Sequence, residues 1–94
     1  MSKAVNSHTP DRAIFTWTAD AEPCEAIQLG NGRTVLVTAE GDLPSPVEIW
    51  GGISAPTCLL AVIRSEQDLA TIPLVCVIKP VAPAGVKVTA MVIR

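Results

Sequence analysis

Ninety-four residues, 49% of them hydrophobic and only 17% charged, describe one small domain whose surface is poor in charge. A formal net charge of −2, with the seven Lys and Arg residues scattered, supplies no basic stripe to neutralise a run of phosphates, which argues against nucleic-acid binding. The first residues lack the apolar stretch of a signal peptide, and no apolar run approaches the ~20 residues of a membrane helix.

Residues 1–12 are polar, with Asn6, Ser7, Thr9, Pro10 and Asp11 together. They read as an N-terminal arm, either flexible or extended and ordering on a partner. A single domain is expected over 13–94. Its first strand is 13–18, rich in aromatic and β-branched residues. Residues 25–29 alternate weakly and end in Gly30-Asn31-Gly32, turn chemistry that predicts a hairpin into the strand 33–40. The run 47–50 follows, with Val47 and Ile49 on one side and Glu48 and Trp50 opposite, and Gly51-Gly52 closes it.

Three apolar runs then dominate the chain: 58–63, 72–78 and 86–93. They read as strands hydrophobic on both faces, whereas a small antiparallel sheet normally alternates because one face meets water. Such strands need a second cover, and another protein chain is the expected one. Pro73 inside its run implies an edge position or a bulge, and residues 65–68 form an exposed polar loop. About seven short strands with turn signals every 8–12 residues predict an all-β fold, an antiparallel β-sandwich of jelly-roll or Ig-like type.

No catalytic constellation accompanies this pattern. His8 is the only histidine and lies in the polar arm, without a second ligand or a paired nucleophile. The acids Asp20, Glu22 and Glu25, and the pair Glu40 and Asp42, follow no calcium-loop ladder and read as solvated loop residues. Gly30-Asn31-Gly32-Arg33 has neither the spacing of a phosphate loop nor a following helix. Three cysteines, odd in number and far apart, make neither a disulfide framework nor a zinc motif. Cys58 and Cys76 are expected in the core or an interface, Cys24 as a loop thiol among carboxylates. The chain therefore reads as no enzyme, with no cofactor and no metal.

Trp17 and Trp50, with Phe15, are the only aromatics; core or interface packing ranks ahead of a sugar-stacking platform for both. Trp50, Leu60, Met91 and Ile93 are the expected apolar anchors of an interface, each opposite a likelier core position. In the arm, Ser2, Lys3, Val5, Asn6 and His8 are expected to reach a neighbouring subunit.

Three segments together carry a resemblance. They are Leu29-Gly30-Asn31-Gly32-Arg33-Thr34-Val35-Leu36-Val37, then Pro46-Val47-Glu48-Ile49-Trp50-Gly51-Gly52-Ile53-Ser54, then Leu74-Val75-Cys76-Val77-Ile78-Lys79-Pro80-Val81 with Gly85-Val86-Lys87-Val88-Thr89. Their order resembles small β-sandwich proteins encoded among tailed-bacteriophage structural genes, including capsid cement (decoration) proteins. It departs from that pattern at residues 52–57, where related sandwiches often carry a longer polar turn ending in an aromatic. The resemblance implies a virion protein, made in the host cytoplasm, with homo-oligomers (trimers among them) and a major capsid protein as partners. No nucleic acid or membrane is implied. Similar sandwiches occur in tail and fibre-associated proteins, and a small carbohydrate-binding or adhesion module, with a glycan partner, is the alternative from another class.

Overall fold

The computed structural model describes residues 4–8, 12–20, 23–41 and 45–93. Seven strands run in chain order: β1 (Ala4–His8), β2 (Arg12–Thr18), β3 (Ile27–Glu40), β4 (Val47–Gly52), β5 (Cys58–Ile63), β6 (Leu69–Val81) and β7 (Lys87–Ile93). All pairings are antiparallel, and among the described residues there is no helix. The strands form one sheet in the order β1-β2-β7-β3-β6-β4-β5. The all-β expectation therefore holds, with a single continuous sheet as its form.

That sheet curls over one core because its two longest strands bend. β3 and β6 pair with each other along most of their length, but the register breaks twice. Between Gln28–Val77 and Arg33–Val75, four residues of β3 (29–32) stand opposite Cys76 alone. Between Arg33–Val75 and Val35–Ile72, Pro73 and Leu74 stand opposite Thr34. Extra residues on one strand bend it and increase its twist. The Gly-Asn-Gly segment is thus a bulge inside one strand and not a hairpin turn. Glycine supplies the freedom that either outcome requires, and both flanks pairing with the same partner strand decides for the bulge.

Pro73 sits at the second bulge, where no ladder hydrogen bond is lost, although β6 is a central strand. Its neighbour Leu74 has φ 57°, in the left-handed region, and is 77% exposed. A leucine held there costs about 1–2 kcal/mol of backbone strain. Pro80 is also accommodated: pairing with β3 has ended at Ile78, so at Pro80 only β4 lies alongside.

The core draws on both limbs of the curl. Trp17, Val35, Val37 and Val88 come from β2, β3 and β7; Val47, Ile49, Ile63 and Ile78 come from β4, β5 and β6. β7 alternates strictly, with Val88, Ala90 and Val92 buried and Lys87 and Ile93 exposed, so it is hydrophobic on one face and mixed on the other. The expectation of two greasy faces fails for this strand. Cys24 is buried rather than a loop thiol, because a backbone bridge holds its segment against the core. Next to it, the carbonyl of Glu25 accepts a 2.9 Å hydrogen bond from the fully buried Trp17 indole N–H. That bond satisfies the one polar atom that a buried tryptophan carries. Cys58 is exposed and Cys76 half-buried.

Two glycines are required for different reasons. A Cβ on Gly51 would lie 2.6 Å from the Val77 carbonyl oxygen and 2.7 Å from Leu60 Cδ1, so β4 and its neighbours approach too closely for any side chain. Gly85 has open space around it but φ 89° in the turn before β7, where its N–H donates to the Ala19 carbonyl at 2.9 Å. Gly51→Ala is expected to cost about 1–3 kcal/mol through overpacking. Gly85→Ala is expected to cost about 1–2 kcal/mol through backbone strain, and Gly85→Asn less, since Asn tolerates positive φ. Urea midpoints of these three variants and of Gly51→Asn check this; Gly51→Asn should fall below Gly51→Ala, the reverse of the order at Gly85.

Candidate functional site

Directly opposed residues of neighbouring strands share a face of the sheet. On the outer face of β5-β4-β6 this sets out two rows. One is Val62, Glu48 and Val81; the next is Leu59, Trp50 and Lys79. Val47, Ile49, Ala61 and Ile63 alternate with them and point to the core side. The apolar members of the outer rows stay in solvent: Leu59 is 47% exposed and Val81 48%. Ile53, in the turn between β4 and β5, is 82% exposed. With Trp50 and Val62 they make an uncovered apolar patch in which Glu48 stands between Val62 and Val81, while Lys79 and Arg64 flank it.

β5 reaches this arrangement through one irregularity. Ile49 opposes Ala61 but Trp50 opposes Leu59, leaving Leu60 as an extra residue. Its side chain turns back so that Cδ1 lies over Gly51, near the Val75 methyl, which leaves Leu60 39% exposed. Leu60 is therefore half a core residue, packed against the edge of the sheet, rather than a freely projecting anchor.

Trp50 is half-buried, and its indole N–H donates to Glu48 Oε1 at 3.1 Å. The bond lays the ring along β4 and fixes the Glu48 carboxylate beside it. Next to this face, a groove of about 520 Å³ is bordered by Pro46, Glu48, Val62, Arg64, Val81 and Pro83. Its wall pairs one acid and one base with aliphatic side chains. The backbone N–H of Arg64 is itself bound to Asp68 Oδ2 at 3.1 Å, which closes the exposed 64–68 loop. A second hollow of about 370 Å³ lies against Asp20, Cys24, Lys79 and Pro80. Among the described residues, no three His, Cys, Asp or Glu side chains converge as metal ligands.

The expected anchors fall into two groups. Trp50 lies in the outer patch of β5-β4-β6, and Leu60 lies on β5 beside it with its side chain turned over Gly51. Met91 and Ile93 lie on the outer side of β7, where Met91 is flanked by Leu36 and Ile14 and half-buried, and Ile93 is 44% exposed. Strands β3 and β6 separate the two groups in the sheet. Of the expected arm, Val5, Asn6 and His8 are backbone partners of Thr16, Phe15 and Ala13, so this stretch is an edge strand on its own sheet. Ser2 and Lys3 lie outside the described residues. Val62, Leu59 and Val81 belong to the patch and were not singled out in the sequence; the alternation of 47–50 extended across to its neighbours would have found them.

The two tryptophans should separate in solution. Acrylamide is expected to quench Trp50 and to leave Trp17 protected, so that Trp50→Phe removes the quenchable component and Trp17→Phe does not. Trp17→Phe should in turn cost about 1–3 kcal/mol, since it leaves the Glu25 carbonyl without its indole donor.

Comparison of the chain with protein-family models, with curated protein sequences and with solved structures finds no match.

Proposed function

We propose that this chain is a structural assembly protein whose task is to bind other protein subunits, beginning with copies of itself. The observation that carries the reading is the apolar patch formed by Leu59, Val62, Val81 and Trp50, with Ile53 beside it. Scattered exposed apolar residues are ordinary, whereas a contiguous group bordered by polar side chains marks an interaction surface. An obligate interface is a core cut in half, with aliphatic and aromatic residues at its centre and charges at its rim. The rows on β5-β4-β6 supply the aliphatic and aromatic part of that composition, with the Glu48 carboxylate set among them and held by the Trp50 N–H.

Within this class the sequence resemblance favours a virion component, a capsid cement protein that stabilises a lattice of major capsid protein, with a tail or fibre part as the neighbouring possibility. The capsid contact would then be made by faces and edges of the sheet. Residues 4–8 would contribute to it as an edge strand held by β2 rather than as a free arm.

The carbohydrate reading now rests on Trp50, because Trp17 is fully buried. Trp50 offers part of one ring face, and its indole N–H is already engaged by Glu48. Sugar platforms combine aromatics with several free polar groups, whereas Trp50 has Leu59 on one side, Lys79 on the other and Glu48 already bound to its N–H. Assembly is the better account of this surface.

Light scattering on the purified chain, from micromolar to several hundred micromolar, is expected to show a discrete oligomer; a monomer throughout would overturn self-assembly. Co-sedimentation with shells of a major capsid protein tests the cement role, with binding at a fixed ratio to capsid subunits as the expected result and unbound protein at every ratio as the contrary one. A shift of Trp50 fluorescence on titration with polysaccharide, with no oligomer formed, would put the glycan reading first.

A further inference from the structure

Strand β5 ends the sheet on one side, and among the described residues its backbone pairs only with β4. An edge strand presents a row of unpaired N–H and C=O groups, a template for one more strand. Proteins usually guard such edges with Lys, Pro, other charges or a bulge. The six residues of β5 carry the bulge at Leu60 but no Lys, Pro or charge, and the stretch without charge reaches back to Gly51. The opposite edge, β1, is bounded in the chain by Lys3 on one side and by Asp11 and Arg12 on the other.

We propose that β5 pairs antiparallel with β5 of a second copy, about a two-fold axis passing between Leu60 and Ala61, so that two sheets join into one. The inference rests on the assembly reading above and names the surface and the partner. The register follows from the extra residue in the strand. Leu59 and Val62 share the outer face, while Ala61 and Ile63 share the inner one. A partner strand matches outer to outer and inner to inner when Leu59 faces Val62 of the other copy, Leu60 faces Ala61 and Cys58 faces Ile63. Shifting by one residue sets Leu59 against Ile63, which puts an outer position against a core one and is disfavoured for the whole strand.

The charges fit the same register. Arg64 of each copy comes beside Thr57 of the other, at opposite ends of the seam. Read across the outer face, the joined row is Val81, Glu48 and Val62 of one copy, then Leu59, Trp50 and Lys79 of the other. The seam itself is aliphatic, each copy brings one acid, Glu48, and two bases, Lys79 and Arg64, to its flanks, and no like charges meet directly. A two-fold interface requires a surface complementary to itself, and this row meets that requirement. The pairing would also cover Leu59 and Val62, now 47% and 36% exposed.

Disulfide trapping tests the register. In a Cys58→Ser background, Leu59→Cys with Val62→Cys places two thiols that face their counterparts across the seam, where opposed Cβ atoms stand about 5 Å apart. Within one chain the same two positions are about 10 Å apart along the strand, out of disulfide reach. Diamide, which takes up the two hydrogens released for each disulfide, should give a covalent dimer at low protein concentration. The control pair Leu69→Cys with Leu74→Cys, in the same background, should not. Light scattering on Leu59→Lys with Val62→Lys should show loss of a dimer that the wild type forms.

Absence of the covalent dimer, or a wild-type assembly that is trimeric or survives both lysines, would overturn the edge pairing while leaving assembly by another surface standing. A wild type that stays monomeric at every concentration would overturn both. Should the lysine variant lose its circular-dichroism signal, the trapping result decides alone.

Discussion

The pairing of β3 with β6 is the constraint from which the rest of the structure follows. These two strands lie at the centre of the sheet, and each has a different neighbour on its other side, β7 for β3 and β4 for β6. Because the register breaks at residues 29–32 and again at Pro73 and Leu74, the sheet turns at this central pair. One limb carries β1, β2 and β7, the other β4 and β5, and both lay their inner residues on one core. A straight central pair would leave an open sheet with Val37 and Val88 on one limb and Ile49 and Ile63 on the other, each lacking the second layer that a core requires.

The same bend explains why apolar surface is left over. Curling hides one face, so a strand at the end of a limb can have its inner residues fully covered and its outer ones uncovered. β5 shows this in six residues: Ile63 is buried and Ala61 half-buried, while Leu59 and Val62 face out. Among the described residues no strand lies over them as a second cover. Single charges stand among and beside the outer apolar rows: Glu48 lies between Val62 and Val81, and Lys79 and Arg64 flank them. The surplus of apolar residues over what the core uses is the physical basis for reading the protein as an assembly component.

Much of the strand pattern was legible. The run 58–63 is β5 residue for residue, 47–50 begins β4, and of the edge position or bulge that Pro73 implies the fold takes the bulge. The expected total of seven strands was reached by two compensating differences: 25–29 and 33–40 are one strand, and residues 4–8 add another. Both have the same cause. Local chemistry says that Gly30-Asn31-Gly32 can reverse the chain, but whether it bulges or turns depends on which strand lies beside it, and that is a long-range fact. Likewise, polar composition hides β1, whose place comes from backbone pairing with β2. Cys24 was misjudged from its acidic neighbours, since a residue's burial is set by the bridge that orients it and not by the charge next to it in sequence. The candidate patch was legible in part: Trp50 was named from alternation within its own strand, but grouping it with Leu59, Val62 and Val81, setting Leu60 apart from them, and separating all of these from Met91 and Ile93 required the strand order.

Strand order has a further consequence, for how the chain is made. β7 follows every other strand in sequence, yet it lies between β2 and β3. Until it emerges from the ribosome, the β1-β2 hairpin has nothing to join, and the inner faces of Trp17, Val35 and Val37 have no strand between them. Topologies that wait for such distant pairings fold slowly, over milliseconds to seconds. During that interval the aliphatic run of β5 is already synthesised, paired at most with β4 as a hairpin, and in the company of other nascent copies. The order in which the strands are made therefore exposes the stickiest edge first and closes the core last.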